Sequence, residues 1–256
     1  MRVDLNCDMG ESYGAWTIGD DAAIMPFVSS VNVACGFHAG DPSVMRATVH
    51  AAAAHHVAIG AHPGLPDLAG FGRREMAVSP QEVYDMIAYQ VGALRGVAAA
   101  AGVAINHVKP HGALYNMAAV QKPIADAIAL AVRDIDSTLI LVALSGSCLI
   151  DAGRAQGLRT ASEVFADRNY LADGTLVPRS SPHALVHDVH LAAERAVRMI
   201  EARRVTAIDG TDISIVADTV CIHGDGAHAP QFAQRIRAAF ASAGIAVMAI
   251  GAPTHA

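Results

Sequence analysis

His107-Val108-Lys109-Pro110-His111-Gly112-Ala113-Leu114-Tyr115-Asn116 is the stretch from which the fold can be read. Taken as a strand, whose side chains alternate between two faces, it sets His107, Lys109 and His111 on one side and Val108 and Pro110 on the other. Lysine is scarce here: only Lys109 and Lys122 occur among the 18 lysines and arginines, and one of the two sits inside this short strand. Such a charge suits a strand whose outer face is covered by helices while its inner face lines a polar pocket.

Neighbouring segments repeat the pattern. Residues 2–8 alternate Val3, Leu5 and Cys7 with Asp4, Asn6 and Asp8. A second strand at about 29–35 carries Asn32 and runs into Gly36-Phe37-His38; a third, Val57 to His62, again ends on a histidine. Leu139 to Leu144 is a continuous apolar run, as in a parallel strand buried on both faces. Thr160 to Ala166 places Glu163 among apolar neighbours, Ile215 to Ile222 leads into His223-Gly224-Asp225, and Ile245 to Ile250 is a last strand. Helix signals fall between them. Asp41-Pro42 opens one helix, Ser79-Pro80-Gln81-Glu82 is a capping box for another that Gly102 stops, and further helices are predicted over about 123–134, from Ser181-Pro182 to Arg203, and over 230–243. Residues 63–78, rich in glycine and holding Arg73-Arg74, form a long loop that can act as a lid. A small hairpin is expected about Asp173-Gly174.

Seven or eight strands alternating with helices predict a parallel sheet wrapped by helices, in one α/β domain over residues 1–256. No G-x-G-x-x-G follows the first strand, which disfavours a dinucleotide-binding sheet. A closed barrel gathers its reactive groups at the C-terminal ends of its strands, and there fall Asp8, His38, His62, Lys109, His111, Glu163, Asp167, Arg168, His223 and Asp225.

The net charge of −6 without a basic run argues against nucleic acid, and no apolar run reaches a membrane-spanning length. With a strand starting almost at once, a cytoplasmic location is expected. The four cysteines, far apart and without a C-x-x-C pair, read as reduced thiols; Cys35 and Cys221 read as packing residues.

Each candidate has a structural reading beside its functional ones. Asp8 either caps a turn or shares a pocket face with Asp4 and Asn6. His38 and His62 are core histidines, or with Asp8 they supply two imidazoles and a carboxylate for acid–base work or for a metal ion; the spacing is no diagnostic metal motif, and no metal is assigned. Lys109 is a structural ion pair with Glu163 or an Asp, an electrophile for a carbonyl or phosphoryl oxygen, or a Schiff-base lysine. Arg73 and Arg74 are a solvated pair, or they close over a carboxylate or phosphate.

The motifs Asp4-Leu5-Asn6-Cys7-Asp8-Met9-Gly10-Glu11, Asn32 to Pro42, Gly60-Ala61-His62-Pro63-Gly64, Gly70 to Arg74, His107 to Asn116, Glu163 to Arg168 and Cys221-Ile222-His223-Gly224-Asp225 resemble the LamB/YcsF family, in order and over nearly the whole chain. The resemblance implies an incomplete, seven-stranded TIM-like barrel of the glycoside hydrolase/deacetylase type. It also implies the A subunit of a 5-oxoprolinase, which opens 5-oxo-L-proline to L-glutamate with ATP and two partner subunits, B and C. ATP, with Mg, would be bound by this chain or by a partner, and a homo-oligomer is compatible with this. Two alternatives accompany it: a metal-dependent hydrolase or deacetylase using Asp8, His38 and His62, which the related barrel suggests, and a non-catalytic subunit supporting its partners' chemistry. In the catalytic reading Asp8 or His62 is the base for water, Lys109 and Arg73 hold carboxylate or phosphoryl oxygens, and His38, His111 and Glu163 orient them. Asn6, Glu11, Asn32, Arg74, Arg168 and His223 are expected to contact substrate.

Overall fold

Alternating strands and helices close a barrel. The computed structural model describes residues 1–222 and 229–252. In chain order the elements are β1 (Arg2–Met9), α1 (Asp21–Ile24) with a 3-10 turn at Met25–Phe27, β2 (Ser30–Ala34), α2 (Pro42–Ala54), β3 (Ala58–His62) and α3 (Pro80–Ala100). Then come β4 (His107–Val108), α4 (Gly112–Val120), α5 (Lys122–Ile135), β5 (Ile140–Leu144), α6 (Cys148–Ala155) and β6 (Arg159–Phe165). The last third holds α7 (Val189–Glu201), β7 (Arg204–Thr206), β8 (Asp212–Ser214), β9 (Thr219–Ile222), α8 (Ala229–Ser242) and β10 (Ala246–Val247).

Strands β1 to β6 pair in sequence, all parallel, and β9 pairs with both β6 and β1, so seven strands form the closed, TIM-like barrel. Register settles which side chains face inward. Asp8 is opposite Asn32, Asn32 opposite Gly60, Gly60 opposite His107, His107 opposite Ile140, Val142 opposite Ala161, and Glu163 opposite Thr219. Parallel neighbours share a face, so these residues and those two apart from them line the lumen. The other face of each strand, Leu5, Cys7, Val31, Val33, Val108, Leu141 and Val220 among them, packs beneath the helices in the main apolar core. Capping follows the sequence: Asp41 accepts from Ser43 and Val44, and Ser79 and Glu82 form the reciprocal box. All four cysteines are free thiols.

Four elements differ from the sequence reading. The ladder of β4 ends at Val108, and Gly112 to Val120 is a helix rather than the end of a strand. Pro110 has no N–H to offer a ladder, and Gly112, at φ +57°, turns the chain so that an almost wholly apolar helix is buried. Helix α7 starts at Val189, capped by Asp188, and not at Ser181-Pro182, because residues 184–186 hydrogen-bond to residues 167–169 instead of coiling. The stretch before β9 forms an antiparallel hairpin of β7 and β8 about Asp209-Gly210. The final strand keeps only two ladder residues, beside the start of β1, after which Ile250 packs on Ile140, Val142 and Ala161. No helix among the described residues is long and apolar enough to cross a membrane.

Candidate active site

Inward positions of β1 begin a column of polar layers. Asp4 accepts from the hydroxyls of Ser29, Ser30 and Thr219, and burial outweighs these bonds, raising its pKa above the usual carboxylate value. One layer up, Asn6 donates to Glu163 (3.0 Å) and Thr219 (2.7 Å) and accepts from Asn32 (2.8 Å). The His107 Nε2–H donates to Asn32 Oδ1 at 2.8 Å, and burial pulls this imidazole down to about 3, so it is neutral. Glycine at 60 is what lets the ring lie there: a Cβ would stand 2.1 Å from His107 Nε2.

Lys109 occupies the next layer. Its ammonium lies 2.9 Å from Asp8, 2.9 Å from Glu163, and 3.2 Å from both Asn6 Oδ1 and Cys221 Sγ. Burial alone would lower its pKa; the neighbouring Asp8 and Glu163 outweigh that and hold it well above the ordinary lysine range. Burial pushes Cys221 up, so the sulfur beside it is a neutral thiol. Tyr115 donates to the second oxygen of Glu163 at 2.7 Å. An ammonium has three N–H donors, and all are engaged by protein, as in the ion-pair reading of Lys109.

Above the lysine sits a cluster of imidazoles from three loops and strand ends. His62 Nδ1 donates to the Lys109 carbonyl and His111 Nε2 to the Phe71 carbonyl, both at 2.8 Å. That leaves His62 Nε2 facing His111 Nδ1 at 2.9 Å, with Asp8 Oδ2 at 3.3 Å from the former. His38 stacks flat on His111, 3.7 Å between ring centres, and Glu11 Oε1 lies 3.6 Å from His38 Nε2 and from His111 Nδ1. Burial, reinforced by the neighbouring imidazoles, holds both His38 and His111 well below the usual histidine value. Gly72, at φ +62°, makes room for the stack; a Cβ there would meet His38 and His111 at 2.7 and 2.9 Å.

A cavity of about 290 Å³ opens over these groups, with Asp8, Glu11, His62, Lys109 and His111 on one side and Arg73, Arg168 and Arg179 among its other lining residues. Arg73 lies over the Phe71 ring. Burial, then the adjacent Arg179, lowers Arg168 to about 10, and its guanidinium donates to the Val177 carbonyl. Guanidinium groups this close create a field suited to an anion.

Of the residues singled out from sequence, Asp8, Glu11, His62, Arg73, Lys109, His111 and Arg168 line the cavity. His38 lies behind His111, and Asn6, Asn32 and Glu163 lie below, holding the floor. Arg74 does not line it and is tied to Asp67. His223 lies outside the described residues. Sequence reasoning missed Tyr115, Arg179 and Thr219. Thr219 alternates with Cys221 on β9, which is a usable signal, whereas Tyr115 and Arg179 come from segments whose placement depends on distant contacts.

Fold and site together define a parallel TIM-like barrel with a charged, histidine-rich pocket at its C-terminal mouth. The chain belongs to the LamB/YcsF family, which it matches over residues 3–255. It is 62% identical to the 5-oxoprolinase A subunit of Tolumonas auensis, across 97% of this chain and 99% of that protein. With the 5-oxoprolinase A subunit of Bacillus subtilis it shares 58%, across 98% and 97%. The crystal structure of the lactam utilization protein from Thermus thermophilus superposes with a TM-score of 0.92 at 50% identity, covering 98% of this chain and 100% of that one.

Proposed function

We propose that this chain is the A subunit of a 5-oxoprolinase and that its cavity is where 5-oxo-L-proline is opened to L-glutamate, coupled to ATP hydrolysis, in a complex with B and C subunits. The observation that carries this is the near-full-length identity, 62%, with a 5-oxoprolinase A subunit. The chemistry of the cavity agrees. A lactam is resonance-stabilised and a weak electrophile, so its amide oxygen takes a phosphoryl group from ATP, which is held here or by a partner with Mg, and ADP leaves. Water then adds to the activated carbon, giving its proton to Asp8. Collapse breaks the ring C–N bond, the nitrogen picks up a proton, and γ-glutamyl phosphate results; a second water releases phosphate and glutamate.

Asp8 is the base in this scheme because it lines the cavity, with Oδ1 held by Lys109 and Asn32 and Oδ2 3.3 Å from His62 Nε2. Lys109 is a positioning residue that fixes Asp8, and Glu163, Asn6 and Tyr115 fix Lys109 in turn. Arg73, Arg168 and Arg179 receive the substrate carboxylate and the phosphoryl oxygens, where a guanidinium forms paired hydrogen bonds. The test is glutamate release from 5-oxoproline and ATP by the chain alone and with both partner subunits. Release only in the mixture, matched by ADP, is the expected result; no release from a folded, assembled mixture would remove 5-oxoproline as the substrate.

A further inference from the structure

We propose that Glu11, His38, His62 and His111 bind one divalent ion of the zinc type, a site distinct from the Asp8–Lys109 pair beneath it. Hydrogen-bond direction points to it. A neutral imidazole has one N–H and one lone pair. His62 uses its N–H on the Lys109 carbonyl and His111 uses its own on the Phe71 carbonyl. With both rings carrying a single N–H, the two nitrogens that meet at 2.9 Å, His62 Nε2 and His111 Nδ1, are both lone-pair ends. Two acceptors at that separation repel unless a cation lies between or beside them.

The surroundings supply the rest of a ligand set. His38 is fully buried and neither of its ring nitrogens has a hydrogen-bond partner among the described residues, which is costly for a polar group out of water. Its Nε2 points to the same Glu11 oxygen that His111 approaches. One ligand atom from each of the four residues lies within 4.8 Å of the others. Bonds of 2.0–2.1 Å at tetrahedral angles would put ligand atoms about 3.4 Å apart; three of the six separations, 2.9, 3.6 and 3.6 Å, bracket that value, and all lie within 4.8 Å, so the ion would draw the remaining ligands inward. Three nitrogens and one carboxylate oxygen favour zinc, cobalt or nickel over magnesium or calcium. The two carbonyls that fix His62 and His111 are the kind of outer partner that orients metal-bound histidines. Asp8, the carboxylate that shares consecutive strand ends with His38 and His62, has Oδ1 committed to Lys109 and Asn32.

The site stands whether or not the cavity acts on 5-oxoproline, and its test reads binding, not turnover. The full chain, stripped with a chelator and shown to be folded, is titrated with Co²⁺ as a spectroscopic probe and with Zn²⁺ in competition. One equivalent of Co²⁺ with the visible absorption of a nitrogen-rich four-coordinate ion, displaced by Zn²⁺, is expected, and Glu11→Gln and His111→Gln each weaken binding at least about tenfold. For the wild-type chain, which needs no variant to fold, nitrogen NMR should show His62 Nε2 and His111 Nδ1 shifting together when Zn²⁺ is added. Absence of stoichiometric binding, binding undiminished in both variants, or unmoved imidazole resonances would each overturn the site.

Discussion

The two walls of the barrel lumen differ in what fills them. On the β5 side, Ile140 and Val142 meet Ala161 of β6, and Ile250 from the end of the chain packs against them, a dry layer. Over the rest of the lumen, Asp4, Asn6, Ser30, Asn32, His107, Lys109, Glu163 and Thr219 are all buried and all polar. The first wall is filled as barrels usually are, with branched apolar side chains. The second gives up that stability: a buried ion pair costs its desolvation, and apolar residues of the same volume are often at least as stable. Its hydrogen bonds nevertheless close almost completely on one another, which fixes Asp8 and Lys109 under the cavity. A departure from the simplest core, built with this much mutual support, is what a functional site looks like.

Substitutions on the two walls should separate these roles. Lys109→Met is expected to have the largest effect, since it leaves Asp8 and Glu163 without the cation between them: a loss of about 3–5 kcal/mol in denaturant unfolding, and loss of glutamate release by the assembled enzyme even at temperatures where the variant is folded. A stability change under about 1 kcal/mol would show that the polar wall is not one coupled unit. Ile250→Ala, on the dry wall, should cost less, about 1–2 kcal/mol for a half-buried side chain, and leave turnover unchanged. A fall in turnover without a fall in stability would mean that the dry wall reaches the chemistry.

Much of this contrast was legible in the sequence. Alternation in residues 2–8 placed Asp4, Asn6 and Asp8 on one face, and the registers of β1 and β2 keep them there. The helix caps at Asp41 and Ser79 depend on neighbours in sequence, so they too could be read directly. What escaped depends on non-local contacts. An apolar run such as Ala113 to Ala119 satisfies a buried strand or a buried helix equally, and only packing against α5 and α6 makes α4 a helix. Ser181-Pro182 has a good start signal that loses to backbone pairing with residues 167–169. The stacking of His38 on His111, and the facing lone pairs of His62 and His111, follow from which carbonyl each ring meets, and spacing along the chain does not encode that.

In the proposed mechanism Asp8, held by Lys109, does the chemistry of the cavity. Asp8→Asn keeps the size of the side chain and removes the base, so the decisive measurement is kcat for glutamate release by this chain with its two proposed partner subunits. A fall of about 10²–10⁴-fold, with unfolding still cooperative and complex formation intact, is the predicted result. A kcat close to that of the wild type would contradict the account and leave the polar wall with a structural role.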